Sequence, residues 1–80
     1  MSVEKKVKEI IADVFGKNPE ELADNLRFVE DLHAKSVNII ELIALLEYEF
    51  NITIPFVEAR KNKTIGEAVS YIEKKLAEKQ

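Results

Sequence analysis

Apolar residues at the start of the chain recur at helical spacing. Val3, Val7, Ile10, Ile11 and Val14 share one face, while Lys5, Lys6, Lys8, Glu9 and Asp13 fill the remaining surface. Ser2 is placed to cap this first helix, Phe15 closes the apolar run, and Gly16 is suited to stop it in a left-handed conformation. The regularity then fades. Asn18–Pro19–Glu20–Glu21 has a cap residue, a proline fit for a first helical position and acids for a first turn, which predicts a single turn through Leu22. Ala23 to Lys35 keeps no sustained period, and so long a connection in a compact domain is either functional or disordered. Leu22, Leu26, Phe28, Val29 and Leu32 supply apolar anchors, so the spacing predicts an ordered loop packed across the helices.

From Ser36 to Phe50 the helical pattern returns. At about 100° per residue, Ile39, Leu42, Ile43, Leu46 and Phe50 form one stripe of core width. A second apolar stripe, Val37, Ile40, Ala44 and Tyr48, runs along the other side, flanked by Glu41 and Glu47. A helix apolar on two sides is either central to the bundle or docks against something else. So short a chain has little material to bury both faces, which favours a partner surface.

Asn51–Ile52–Thr53–Ile54–Pro55 alternates like a strand, but nothing else in the chain is an evident pairing partner. It predicts an extended connector with Ile52 and Ile54 inward, and Pro55 setting up a short helix over about 56–61. Thr64–Ile65–Gly66–Glu67 has the form of a capping box. Ile65, Ala68, Val69, Ile72 and Leu76 then share one face of a last helix, with Lys74, Lys75 and Lys79 near its end, where cations suit the dipole. The expected fold is an all-α four-helix bundle, with three long helices, a short third helix and a long first loop, as one domain over 1–80.

Composition narrows the chemistry. In 80 residues, 46% are apolar, 34% are charged and none is Cys, which excludes disulfides, thiolate metal sites and an intrinsic thiol nucleophile. A single His has no second His to support a metal site, and a chain of this size has little room for a substrate cavity, so a self-contained enzyme is not expected. No run reaches the roughly 20 apolar residues of a membrane span, and the charged N-terminus has no signal-peptide core, so the expectation is a soluble, monomeric cytoplasmic protein. Residues 30–50 hold five acids (Glu30, Asp31, Glu41, Glu47, Glu49) against Lys35 alone, whereas residues 51–80 hold four acids and six bases. A field of that sign around the second helix favours basic protein partners and disfavours nucleic acid.

Ser36 stands where the loop gives way to the helix. Spacing alone makes it a helix cap, bonded to a backbone N–H near Asn38 or Ile39. Its neighbours add a resemblance. Phe28–Val29–Glu30–Asp31–Leu32, then Lys35–Ser36–Val37, Glu41–Leu42 and Leu46–Glu47–Tyr48–Glu49–Phe50 resemble the centre of an acyl carrier protein. The similarity extends to Ile52–Thr53–Ile54–Pro55, to Thr64–Ile65–Gly66–Glu67–Ala68–Val69–Ser70–Tyr71–Ile72, and to Val7, Ile10 and Ile11 of the first helix.

The resemblance implies that Ser36 accepts 4′-phosphopantetheine through a phosphodiester added by a separate phosphopantetheinyl transferase. The arm would supply the thiol that the chain lacks, and carry acyl groups as thioesters to acyl-transferring and chain-elongating enzymes with basic docking surfaces. Such a carrier would serve fatty acid or related lipid or polyketide biosynthesis. Lys35, Val37, Ile40, Glu41, Ala44, Glu47, Tyr48 and Phe56 are the candidate partner-binding residues, and Ile10, Ile43, Leu46, Ile54, Val69 and Ile72 line an acyl pocket if the bundle opens. Several positions depart from the family's pattern. Lys35 stands where an Asp precedes the serine, Val37 replaces a Leu, Asn38 replaces an acid, His33 replaces a turn Gly, and Phe56 and Val57 replace acids. An unmodified interaction module and a carrier of aminoacyl or peptidyl groups are the alternatives.

Overall fold

The computed structural model describes residues 2–79. Four helices follow in order: α1 (Val3–Phe15), α2 (Ser36–Phe50), α3 (Phe56–Ala59) and α4 (Ile65–Lys79), with a single 3₁₀ turn at Pro19–Glu21. The caps read from sequence form largely as expected. Ser2 Oγ accepts the Lys5 N–H at 3.2 Å, and α1 stops at Gly16 in the left-handed region (φ 67°). Thr64 Oγ1 accepts the Glu67 N–H at 3.2 Å while a Glu67 carboxylate oxygen accepts the N–H groups of Lys63 and Thr64, which closes the capping box of α4.

α1 packs against both α2 and α4, and its Val7, Ile11 and Ala12 are buried. Leu42 and Leu46 of α2 and Ile65, Ala68, Val69 and Ile72 of α4 complete the helical core. Each of the Val, Leu and Ile side chains among them contributes about 1.5–3 kcal/mol by leaving water. The long loop enters the same core through Leu22 and Phe28, the latter tilted against Phe15 with ring centroids 6.3 Å apart. Val29 does not join them: it is exposed, because the turn that buries Phe28 points its neighbour outward.

Backbone bonds explain how a loop without periodicity is ordered. Phe28 N–H donates to Lys63 O and Ile65 N–H to Leu26 O, both at 3.0 Å, stitching the loop to the entry of α4. Gly66 N–H donates to Asp24 O at 2.9 Å, and a Cβ on Gly66 would stand 3.0 Å from the Asp24 Cβ, so glycine permits the close approach.

Residues 51–55 form the expected unpaired connector, with Ile54 buried and Ile52 half-buried. Two side chains tie the far end of α2. Glu47 accepts the Ile54 N–H at 2.8 Å, and Lys79 Nζ donates to Phe50 O (3.2 Å) and Asn51 O (2.6 Å). Lys79 therefore answers the negative end of α2, besides lying in the last turn of its own helix.

Candidate functional site

The loop delivers Ser36 through a compact turn. Asp31 accepts the Arg27 backbone N–H at 2.8 Å and the Arg27 Nε–H at 3.1 Å, and the guanidinium holds the Asp31 carboxyl below the usual carboxylate range. Leu32, His33 and Ala34 then donate in turn to the carbonyls of Arg27, Val29 and Phe28 at 2.9–3.1 Å. His33 takes a left-handed conformation (φ 57°), the conformation that a glycine at this place adopts at no steric cost.

Ser36 is not the cap of α2. Lys35 occupies the N-cap position in extended conformation, and Ser36 is the first helical residue. The side chain that fastens the junction is Asn38, whose Oδ1 accepts the Lys35 N–H at 2.8 Å. An ammonium cannot accept a hydrogen bond in return, so only this half of a capping box forms. The Ser36 hydroxyl is thereby released from cap duty. It is exposed, and no hydrogen bond among the described residues engages it. With α2 beginning at Ser36, Asn38 is its third residue, the position from which a side chain reaches back to the cap N–H.

A groove of about 470 Å³ opens beside Ser36, between the loop, the start of α2 and α3, and Lys35, Ile39, Phe56 and Arg60 are among its walls. Arg60 lies over the Phe56 ring, 5.9 Å from its centroid. Phe28, Ile39, Ala59 and Asn62 also border an apolar cavity of about 40 Å³, whose other walls include Ile43, Leu46, Ile54, Tyr71 and Ile72. Ile10 and Val69, expected to line an acyl pocket if the bundle opens, are not among the walls of this cavity: Val69 is buried in the general core and Ile10 is half-buried against it. By the measure that a water needs about 10–15 Å³, the cavity holds only a few atoms as it stands.

The outer stripe of α2 is exposed as the sequence implied. Val37, Ile40 and Tyr48 are 67%, 56% and 88% exposed, and Leu45, Phe56 and Val57 extend the apolar surface. Ala44, Glu41 and Lys35 are exposed with them. Glu47, beside them, is half-exposed, and one of its carboxylate oxygens accepts the Ile54 N–H. Among the described residues no cluster of His, Cys, Asp and Glu is arranged to hold a metal ion, and no helix is long and apolar enough to cross a membrane.

The fold is thus a helical bundle with an exposed serine at the head of its second helix, beside a groove. Residues 5–72 match the phosphopantetheine attachment site family. The chain is 44% identical to the acyl carrier protein of Wolinella succinogenes, over 91% of this chain and 96% of that one. It is 40% identical to that of Bdellovibrio bacteriovorus, over 94% and 96%. A structure of the acyl carrier protein from Enterococcus faecalis superposes with a TM-score of 0.77 at 36% identity, covering 91% of this chain and 92% of that one. Another, described as an acyl carrier protein from Mycobacterium tuberculosis, gives 0.82 at 28% identity, over 90% and 96%. The chain belongs to the acyl carrier protein family. It is a phosphopantetheine-bearing carrier of acyl groups and not a catalyst, and its dealings are with a phosphopantetheinyl transferase and biosynthetic enzymes.

Proposed function

We propose that Ser36 Oγ is the attachment point, esterified to 4′-phosphopantetheine, and that the arm lies along the adjoining groove with the start of its acyl chain directed into the apolar cavity. The observation that carries this reading is the released Ser36 hydroxyl beside a groove that shares Phe28, Ile39, Ala59 and Asn62 with the cavity. The electrostatics favour the ester. A phosphodiester there meets the free N–H groups of the first turn of α2 and the exposed Lys35 ammonium. The arm supplies the thiol on which the acyl group rides, and the protein's own residues orient the arm and keep water from the chain.

Residues 1–80 then act as one carrier domain in the cytoplasm, serving fatty acid or related lipid or polyketide biosynthesis. Lys35, Val37, Ile40, Glu41, Ala44, Tyr48 and Phe56 form the surface that partner enzymes meet. Of the acids that suggest a basic partner face, Asp31 is paired with Arg27 and Glu47 is bonded to Ile54, which leaves Glu30, Glu41 and Glu49 to meet it.

Co-expression with a phosphopantetheinyl transferase, read by intact mass, tests the assignment. One phosphopantetheine is expected on the wild-type chain and none on Ser36→Ala. An unchanged wild-type mass with several transferases, or an unaltered gain in Ser36→Ala, overturns it.

A further inference from the structure

The cavity beneath the groove has a defined far side. Tyr71 of α4 and Asn62 border both the cavity and a separate open hollow, whose walls include Asp24, Gly66, Ser70 and Lys74. Asn62 also lines the groove, whereas Tyr71 does not, so Tyr71 stands between the cavity and the hollow away from the groove. Three linked contacts hold it in place. The Tyr71 hydroxyl donates to the Glu58 carboxylate, Lys75 Nζ lies 3.6 Å from that same carboxylate, and the Lys75 ammonium sits over the Tyr71 ring at 5.6 Å from its centroid. Because Glu58 belongs to α3, these contacts also bolt the four-residue α3 to α4. Burial raises the Tyr71 hydroxyl above its ordinary range, so it remains a proton donor to Glu58 at any physiological pH.

We infer that Tyr71 is the end wall of the acyl pocket and limits the length of chain that the carrier shelters. A chain entering from Ser36 passes Ile39, Ala59 and Asn62 and advances by parting side chains until it meets the Tyr71 ring, whose bulk blocks the way to the hollow. Beyond the ring lies open hollow. A smaller side chain at position 71 therefore joins the cavity to that hollow and lets a longer chain run through. The inference rests on the carrier reading of Ser36 and adds the residue that sets cargo length.

The test uses the full chain loaded at Ser36 with a series of saturated acyl-phosphopantetheine arms of increasing length, each measured for Tm and for the rate of thioester hydrolysis. In the wild type, Tm is expected to rise and hydrolysis to slow with each added carbon up to a limiting length, and to change no further beyond it. Tyr71→Ala is expected to move that limit outward by several carbons, whereas Tyr71→Phe, which keeps the ring, is expected to leave it nearly in place. Tyr71→Leu makes the same comparison if the alanine variant melts too low. An unchanged limit in Tyr71→Ala or Tyr71→Leu, or the same outward shift in Tyr71→Phe, overturns the inference while leaving the carrier reading intact. Failure to load any arm at Ser36 overturns both.

Discussion

Asn38 Oδ1 holds the backbone N–H of Lys35 at 2.8 Å, and this one bond sets where α2 begins and leaves the Ser36 hydroxyl at liberty. Asn38→Ala removes the acceptor and is expected to cost about 1 kcal/mol, a fall in Tm of roughly 4–8 °C for a domain of this size. Asn38→Asp keeps the acceptor and adds an anion at the positive end of the helix, for a gain of about 0.3–1 kcal/mol. Thermal melts of both variants check the pair. An unchanged Tm in Asn38→Ala refutes the cap.

His33 holds a left-handed conformation that costs an ordinary residue about 1 kcal/mol or more. His33→Gly relieves this but frees the unfolded chain, so a result between neutral and about 1 kcal/mol stabilising is expected. A β-branched side chain tolerates the conformation worse, and His33→Val is expected to lose about 1–2 kcal/mol. Denaturant midpoints rank the three. Equal midpoints for Gly and Val mean that the turn is unstrained.

Glu47 links α2 to the connector by accepting the Ile54 N–H. Glu47→Ala leaves that amide without its partner in a half-buried position and is expected to cost about 1–2 kcal/mol. Glu47→Gln retains an acceptor oxygen and is expected to cost less than half of that. Should both variants melt alike, the hydrogen bond contributes nothing and only side-chain packing counts. Amide exchange at Ile54 gives the local reading.

The Arg27–Asp31 pair gives the loop before Ser36 a pH dependence. Arg27 holds the Asp31 carboxyl down, so the folded group protonates at lower pH than the unfolded one. Its contribution is complete above the ordinary Asp pKa of about 3.9 and is lost as pH falls through the lower folded value. The Arg27 amide, which donates to Asp31, is expected to shift or broaden as pH falls below about 4. Asp31→Asn is expected to remove the acid transition and to speed exchange at Arg27 already at neutral pH.

Gly66 sits in the first turn of α4, where alanine would ordinarily gain about 1 kcal/mol of helix propensity. Here the added methyl meets the Asp24 Cβ at 3.0 Å and the Asp24 carbonyl oxygen at 3.2 Å, so the loop backbone must give way. Such forced shifts cost about 1–3 kcal/mol. Gly66→Ala is therefore expected to be destabilising on balance, and a raised Tm would show that the loop moves freely.

Local chemistry determined most of the helical frame. Val7 and Ile11 in α1, Leu42 and Leu46 in α2 and Ile65, Ala68, Val69 and Ile72 in α4 are buried where their spacing placed them, because a helix offers one face per 3.6 residues whatever it packs against. The stops at Gly16 and the box at Thr64–Glu67 were equally legible, since a cap is a contract between neighbours a few residues apart. The serine and its acidic surroundings were visible in the chain, as was the exposed stripe of Val37, Ile40 and Tyr48.

Tertiary structure decided the rest. It turned Val29 outward beside a buried Phe28, gave the cap of α2 to Asn38 instead of Ser36, and bonded Glu47 to the Ile54 amide. It sent Lys79 of α4 to the carbonyls that end α2, and set Tyr71 between an inner cavity and an outer hollow. Apart from the short-range choice at Asn38, the turn around Phe28 and the Glu47–Ile54 bond, these outcomes join groups far apart along the chain or across the bundle. Periodicity records which face a residue occupies, but the partner it finds there depends on how the helices cross.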